Sequence, residues 1–240
     1  MERKHFLKSL LMGAASAPVL LTACGKDEVS PTSATGTTTT ATGGSSATNC
    51  TVAPTETEGP FPTHTPSSYV RSDITDGRSG YKLTANITIT SSSAGCAALA
   101  GALVDIWHCD AEGNYSEYGG SGMQSTNYTS VHFLRGRQTT NAAGLVSFTS
   151  IFPGWYSGRA THIHVHVYSA SGTSLKVTQI AFPEGTGTAL AAVNGYTKGL
   201  SGYTYNKSDN VFSDDSAGIE IATVTGSTTD GFVLTMNIAV

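Results

Sequence analysis

The chain has 240 residues, of which only 12% are charged, and a net charge of −4. No basic patch appears along it, so nucleic acid is excluded as a partner. The span left after a polar N-terminal stretch, residues 51–240, suits a single domain.

The N-terminus reads as a targeting segment. Arg3, Lys4 and Lys8 form a basic region ahead of the stretch Leu10 to Leu21, which is too short and too rich in small residues to span a bilayer stably. Leu21-Thr22-Ala23-Cys24 resembles a bacterial lipobox, whose cysteine becomes the lipidated mature N-terminus, so residues 1–24 are expected to be a lipoprotein signal peptide. A plain secretory signal or an N-terminal helix is the simpler alternative. Arg3 to Lys8 resembles a twin-arginine signal with lysine in the second slot, which leaves both general secretion and export of the folded protein open. Lys26-Asp27-Glu28 resembles the charged tag that sends some lipoproteins to the cell surface. The expectation is an exported lipoprotein of the cell envelope, held to the membrane through Cys24. Residues 25–50 follow as a tether. From Ser30 to Thr48 they are almost wholly Ser, Thr, Ala and Gly, with too little apolar surface to offset the entropy of ordering. In an oxidising compartment the three remaining cysteines should give one disulfide and one thiol. Cys50 and Cys96 are the preferred pair, and Cys109, at the end of an apolar run, the buried free thiol.

The rest reads as all-β, a sandwich of mainly antiparallel strands with little helix. Alternating apolar and polar residues predict strands over 83–90, 145–151, 162–168, 175–182, 219–225 and 231–238, and an apolar run predicts another over 102–107. Gly, Ser, Asn and Asp gather between them, as in Asn141-Ala-Ala-Gly144. The helical candidate is short, 188–194. Many short strands at this spacing indicate a β-sandwich.

The stretch FPGWYSGRATHIHVHV, Phe152 to Val167, carries the chemistry. Side chains two apart on a strand share a face, so His162 and His164 can reach one site from one side. Imidazole suits iron, copper and zinc alike. On these residues alone, a hydrolytic zinc site using His162, His164 and His166 and a solvated row of histidines both stay open. Upstream, the strand ending at Trp107 runs into His108-Cys-Asp-Ala-Glu-Gly-Asn-Tyr115, where a tyrosine beyond an Asp/Gly turn is by itself an ordinary rim residue.

Taken together, GALVDIWHCDAEGNYS, then FLRGRQTTNAAGLVSFTSIFPGWYSGRATHIHVHV, with Thr57-Glu-Gly-Pro-Phe61 ahead of both, resemble the intradiol ring-cleavage dioxygenases, the family of catechol and protocatechuate dioxygenases. The resemblance runs from Thr55 to Phe182. It implies a mononuclear non-haem Fe(III) held by Tyr115, Tyr156, His162 and His164. It implies that Arg159 lines the site with Gln179 beside it, and that Glu58 to Phe61, with Gly59 and Pro60 at the substrate, form the mouth. The implied reaction joins a catechol-type aromatic and O₂ to give a cis,cis-muconate-type product, with Tyr156 taking a substrate proton and Arg159 holding developing charge. The substrate supplies the electrons, so neither flavin nor nicotinamide is required. The donor chemistry agrees. Phenolates are hard anionic ligands that favour Fe(III), and the 2-His-1-carboxylate set that suits Fe(II) has no candidate at comparable spacing. Only five residues separate Tyr156 from His162, fewer than in the catabolic enzymes, which implies a more open pocket. His166 reads as flanking or surface, and His108 as structural. A non-catalytic surface adhesion or carbohydrate-binding module is the remaining alternative, against which the intact set of Tyr115, Tyr156, Arg159, His162 and His164 argues.

Overall fold

The computed structural model describes residues 50–240. Cys24, the targeting motifs and the Ser30–Thr48 stretch lie outside the described residues. Two sheets face each other. The first holds β1 (Lys82–Ser91), β2 (Ala97–Ala98), β5 (Leu145–Ile151), β8 (Thr223–Ser227) and β9 (Gly231–Ala239). The second, in the order β4-β3-β6-β7, holds β3 (Leu103–Trp107), β4 (Arg135–Thr139), β6 (His162–Tyr168) and β7 (Ser174–Ala181). All named pairings are antiparallel except β1 with β9. One short helix, α1 (Ala189–Val193), follows β7. The fold is an all-β sandwich.

Alternation builds the core. Leu83, Ala85, Ile87 and Ile89 of β1 meet Phe232, Leu234 and Ile238 of β9 across the sandwich from Ile163, Val165 and Val167 of β6. Strand β6 differs from a half-solvated strand because its other face, with His162, His164 and His166, is buried too. The loop after β3 and the segment before β1 cover that face. This buried polar row is where the site forms.

Two elements depart from the sequence pattern. Strand β4, RGRQT, has no apolar residue, yet Arg135 and Gly136 are buried. Arg135 is 0% exposed because every direction of its guanidinium meets an oxygen: Ser116 Oγ and O, Phe61 O and Thr63 Oγ1. Strand β8 begins at Thr223, four residues later than the alternation suggests. The Asp215 carboxylate accepts from the backbone N–H of both Ile219 and Glu220, and Ala181 and Ala222 exchange backbone bonds with this segment at the edge of β7. Residues 219–222 therefore bridge the second sheet before the chain joins the first.

Cys50 and Cys96 are joined by a disulfide with Cα atoms 5.6 Å apart, and Cys109 is a buried free thiol.

Candidate metal centre and active site

Three segments bring the site together. Strand β6 presents His162 and His164, the loop after β3 presents Tyr115, and the loop between β5 and β6 presents Tyr156. The Nε2 atoms of His162 and His164 lie 3.1 Å apart, and Tyr115 Oη lies 3.2 Å from His162 Nε2. Two donors each about 2.1 Å from one ion, at near right angles, stand about 3 Å apart. The three atoms therefore already outline part of one coordination shell. The Tyr156 ring flanks it, with its centroid 5.6 Å from His162 and 5.8 Å from Tyr115.

The surroundings fix each ring. His162 Nδ1–H donates to Ala160 O at 2.6 Å, so its Nε2 lone pair faces the convergence. His164 lies flat against the Trp107 indole, 4.9 Å between centroids at an interplanar angle of 2°. Its other edge meets Gly59, which sits at φ +70°. A Cβ there would fall 2.9 Å from His164 Cε1, so only glycine permits this approach. Phe61 stacks on Tyr115 at 4.7 Å. The Gln124 amide accepts from Tyr115 N–H and donates to Tyr115 O, which stiffens the backbone under the phenol.

Burial sets the protonation states. It pushes His162 down to about 3 and His164 well below its ordinary value, with Arg159 reinforcing the first and His162 the second. Both imidazoles are therefore neutral, the form that binds a metal. Burial raises Tyr115 well above an ordinary phenol and raises Tyr156 as well, although Arg159 pulls both down. Only a strongly Lewis-acidic cation offsets the ionisation of two buried phenols. The donor set of two imidazole nitrogens and two phenol oxygens fits a hard, highly charged ion.

Arg159 lies beside Tyr156, with Nη1 3.4 Å from Tyr156 Oη. Its Nη2 donates to Gln179 Oε1 at 2.7 Å, and Gln179 Nε2 donates to Thr57 O at 2.9 Å, linking the arginine to the mouth segment. Thr57, Gly59, Pro60, Met123, Tyr156 and Arg159 line a cavity of about 480 Å³ that opens to solvent beside the phenol. That lies within the range of small-molecule sites.

His166 is buried rather than on the surface. Its Nε2 faces Ser174 Oγ at 2.7 Å, its Nδ1 faces Glu58 and Tyr168, and Tyr168 stacks on its ring at 3.9 Å. Both nitrogens are engaged away from the convergence. Among the described residues no trio of His, Cys, Asp and Glu gathers as a metal cage, so a three-histidine zinc site does not assemble. His108 is buried between Cys109 O and Ser150 Oγ, as a structural residue.

Two residues that support the site were not singled out in the sequence, Arg135 although it lies within a family-like block. Arg135 ties the Tyr115 loop to the mouth segment through Ser116 and Phe61. Asp209, fully buried, receives the Nε of Arg159. An arginine in a polar run and an aspartate in a Ser/Asn/Asp-rich loop look like ordinary surface residues.

The sandwich thus gathers two neutral histidines, two phenols and a buried arginine in one place. The dioxygenase family model matches residues 63–210, a span that contains all of these side chains. An intradiol ring-cleavage dioxygenase from Tetranychus urticae is 28% identical, over 79% of this chain and 94% of its own, with a TM-score of 0.67. The dioxygenase domain of a dioxygenase carbohydrate-binding protein fusion from the cellulolytic bacterium Streptomyces sp. SirexAA-E is 25% identical, over 79% of this chain and 98% of its own, at 0.55. A hydroxyquinol 1,2-dioxygenase from Pseudomonas putida DLL-E4 shares the fold at 13% identity over 78% of this chain and 66% of its own, with a TM-score of 0.54. No curated protein sequence matches the chain. The chain belongs to the intradiol ring-cleavage dioxygenases.

Proposed function

We propose that this protein cleaves catechol-type rings between the two hydroxyl-bearing carbons, using O₂ and one Fe(III) held by Tyr115, Tyr156, His162 and His164. The observation that carries the reading is the convergence on His162 Nε2 of His164 Nε2 at 3.1 Å and the buried Tyr115 hydroxyl at 3.2 Å, beside a second phenol and an open cavity. A ferric ion bound there would supply Lewis acidity that makes both catechol hydroxyls acidic at neutral pH. The residues of the chain do the rest. Tyr156 stands at the cavity wall, where its Oη can receive a substrate proton. Arg159, held away from water on one side, stabilises negative charge as it develops on the substrate. Phe61 and Trp107 keep water from the rear of the imidazoles and Tyr115, while Gly59 and Pro60 border the space for the ring. The product is a cis,cis-muconate-type diacid containing both atoms of O₂.

Export as a lipoprotein anchored through Cys24 belongs to the same proposal. Its support is the lipobox-like Leu21 to Cys24 and the Cys50–Cys96 disulfide, which fits an oxidising compartment. The catalytic reading is tested by the visible spectrum of the purified protein before and after catechol addition under argon, alongside metal analysis. Ferric phenolate ligation gives a broad visible band and about one iron per chain, and Tyr115→Phe weakens both. A colourless, iron-free protein with full ring-cleaving turnover would overturn it.

A further inference from the structure

Arg159 is held in one orientation from two sides, by Gln179 at Nη2 and by a residue far along the chain, Asp209, at Nε. Its Nε donates to both carboxylate oxygens of Asp209, at 3.1 and 2.9 Å. The same carboxylate accepts from the backbone N–H of Ala160 at 2.6 Å and of Val211 at 2.8 Å. Asp209 is 0% exposed. With Nε taken by Asp209 and Nη2 by Gln179, the Nη1 corner is the part of the guanidinium left to face Tyr156 Oη.

The loop that carries Asp209 is itself stapled to the end of β7. Asn206 Nδ2 donates to Phe182 O at 2.9 Å, and Asn206 N–H donates to Glu184 Oε1 at 2.9 Å. The Tyr203 hydroxyl donates to the same Glu184 oxygen and accepts from Thr161 N–H, next to the first histidine. Beyond Asp209, Asn210 and Val211 line the same cavity as Thr57 and Gly59. One carboxylate thus holds the Nε edge of the guanidinium and bonds the backbone of Ala160 (whose carbonyl holds His162 Nδ1) and of Val211, which lines the cavity.

Resting on the functional reading above, we propose that Asp209 is the positioning residue of Arg159: its effect on ring cleavage runs through the orientation of that guanidinium, while its bonds to the backbone of Ala160 and Val211 hold the loop in place. A free arginine side chain would lose rotamer entropy each time it met the transition state, and a clamped one has already lost it. The carboxylate also offsets the desolvation of the buried guanidinium, which is charged throughout.

The test is a double-mutant cycle on the iron-loaded protein, with Asp209→Asn, Arg159→Leu and the pair. Catechol turnover, iron content and the visible band are read for each. Asp209→Asn is expected to lower kcat by about 10–100-fold with iron content and band kept, a share of what loss of one preorganised group costs. The pair is expected to be no slower than Arg159→Leu alone, because Asp209 has nothing left to position. Multiplying effects would overturn the proposal, and so would loss of iron in parallel with loss of turnover. Should Asp209→Asn fail to fold, Asp209→Glu replaces it, keeping the charge and moving it by one methylene. A fall in kcat with iron retained, and no further fall on adding Arg159→Leu, is then expected; unchanged turnover would overturn it. A wild-type protein that carries iron but leaves catechol uncleaved would defeat the functional reading instead, before the cycle is begun.

Discussion

Glu220 should make this fold less stable as pH rises, and Glu220→Gln should remove the effect. Glu220 is 1% exposed, and among the described residues no group lies within close hydrogen-bond geometry of either carboxylate oxygen. Burial, then the like charges of Glu56, Asp215 and Asp214, push its pKa up to about 8, with Thr178 opposing weakly. An acid whose folded pKa lies above its unfolded value binds more protons when folded. Stability is therefore lost as pH rises from the unfolded value of 4.5 toward about 8, and the full cost is present above that. A shift of that size corresponds to at most about 5 kcal/mol at 1.36 kcal/mol per unit. Relaxation and water penetration reduce such burial penalties, so about 2–3 kcal/mol is expected to survive, worth about 4–12 °C in a domain of this size. Thermal unfolding of wild type and Glu220→Gln at several pH values between 5 and 9 measures it. The two should melt nearly together at pH 5, with the variant gaining steadily to pH 9. A difference that stays constant with pH, or a wild type that is the more stable at pH 9, would refute the reasoning.

Other expectations follow from the site and the core. Arg159→Leu should keep iron and the visible band yet lose activity by about 10²–10³-fold, measured as O₂ uptake and muconate formation on catechol. Gly59→Ala forces a Cβ against His164 at a positive φ, so iron affinity should fall by at least about tenfold, read by chelator competition, with far-ultraviolet circular dichroism unchanged. Replacing Cys50 and Cys96 together by Ala opens a loop of 46 residues and should cost about 2–4 kcal/mol by denaturant unfolding, with turnover at 25 °C kept.

Much of this architecture was legible because it rests on local pattern. Alternation located β1, β5, β6 and β9 to within about a residue, since each buries one apolar face on the core. The family motifs pointed to Tyr115, Tyr156, His162, His164, Arg159 and Gln179, and the structure brings these six into one neighbourhood. What escaped was set by tertiary partners. Arg135 reads as a surface cation until the oxygens of Ser116, Phe61 and Thr63 surround it. Asp209 lies 50 residues from the arginine it holds, in a loop with no periodicity. Strand β8 started late because Asp215 captured two backbone N–H groups that the alternation assigned to a ladder. His166 fits the same alternation as its neighbours, yet Glu58, Ser174 and Tyr168 engage it one step too far along for the site.

Strand β6 divides its labour by residue parity. Even-numbered positions from His162 to His166 face the site and its flank, while Ile163, Val165 and Val167 belong to the core. Chemistry and folding are therefore written on opposite sides of seven consecutive residues, and each can drift with little penalty to the other. A lineage could exchange a histidine and still inherit an intact sandwich, which makes this strand a natural starting place for new activities. The same arrangement sets a hard limit. Slippage by one residue against β3 or β7 would drive imidazoles into the apolar interior and valines into the site at once, so the paired neighbours on both edges guard function and foldability together.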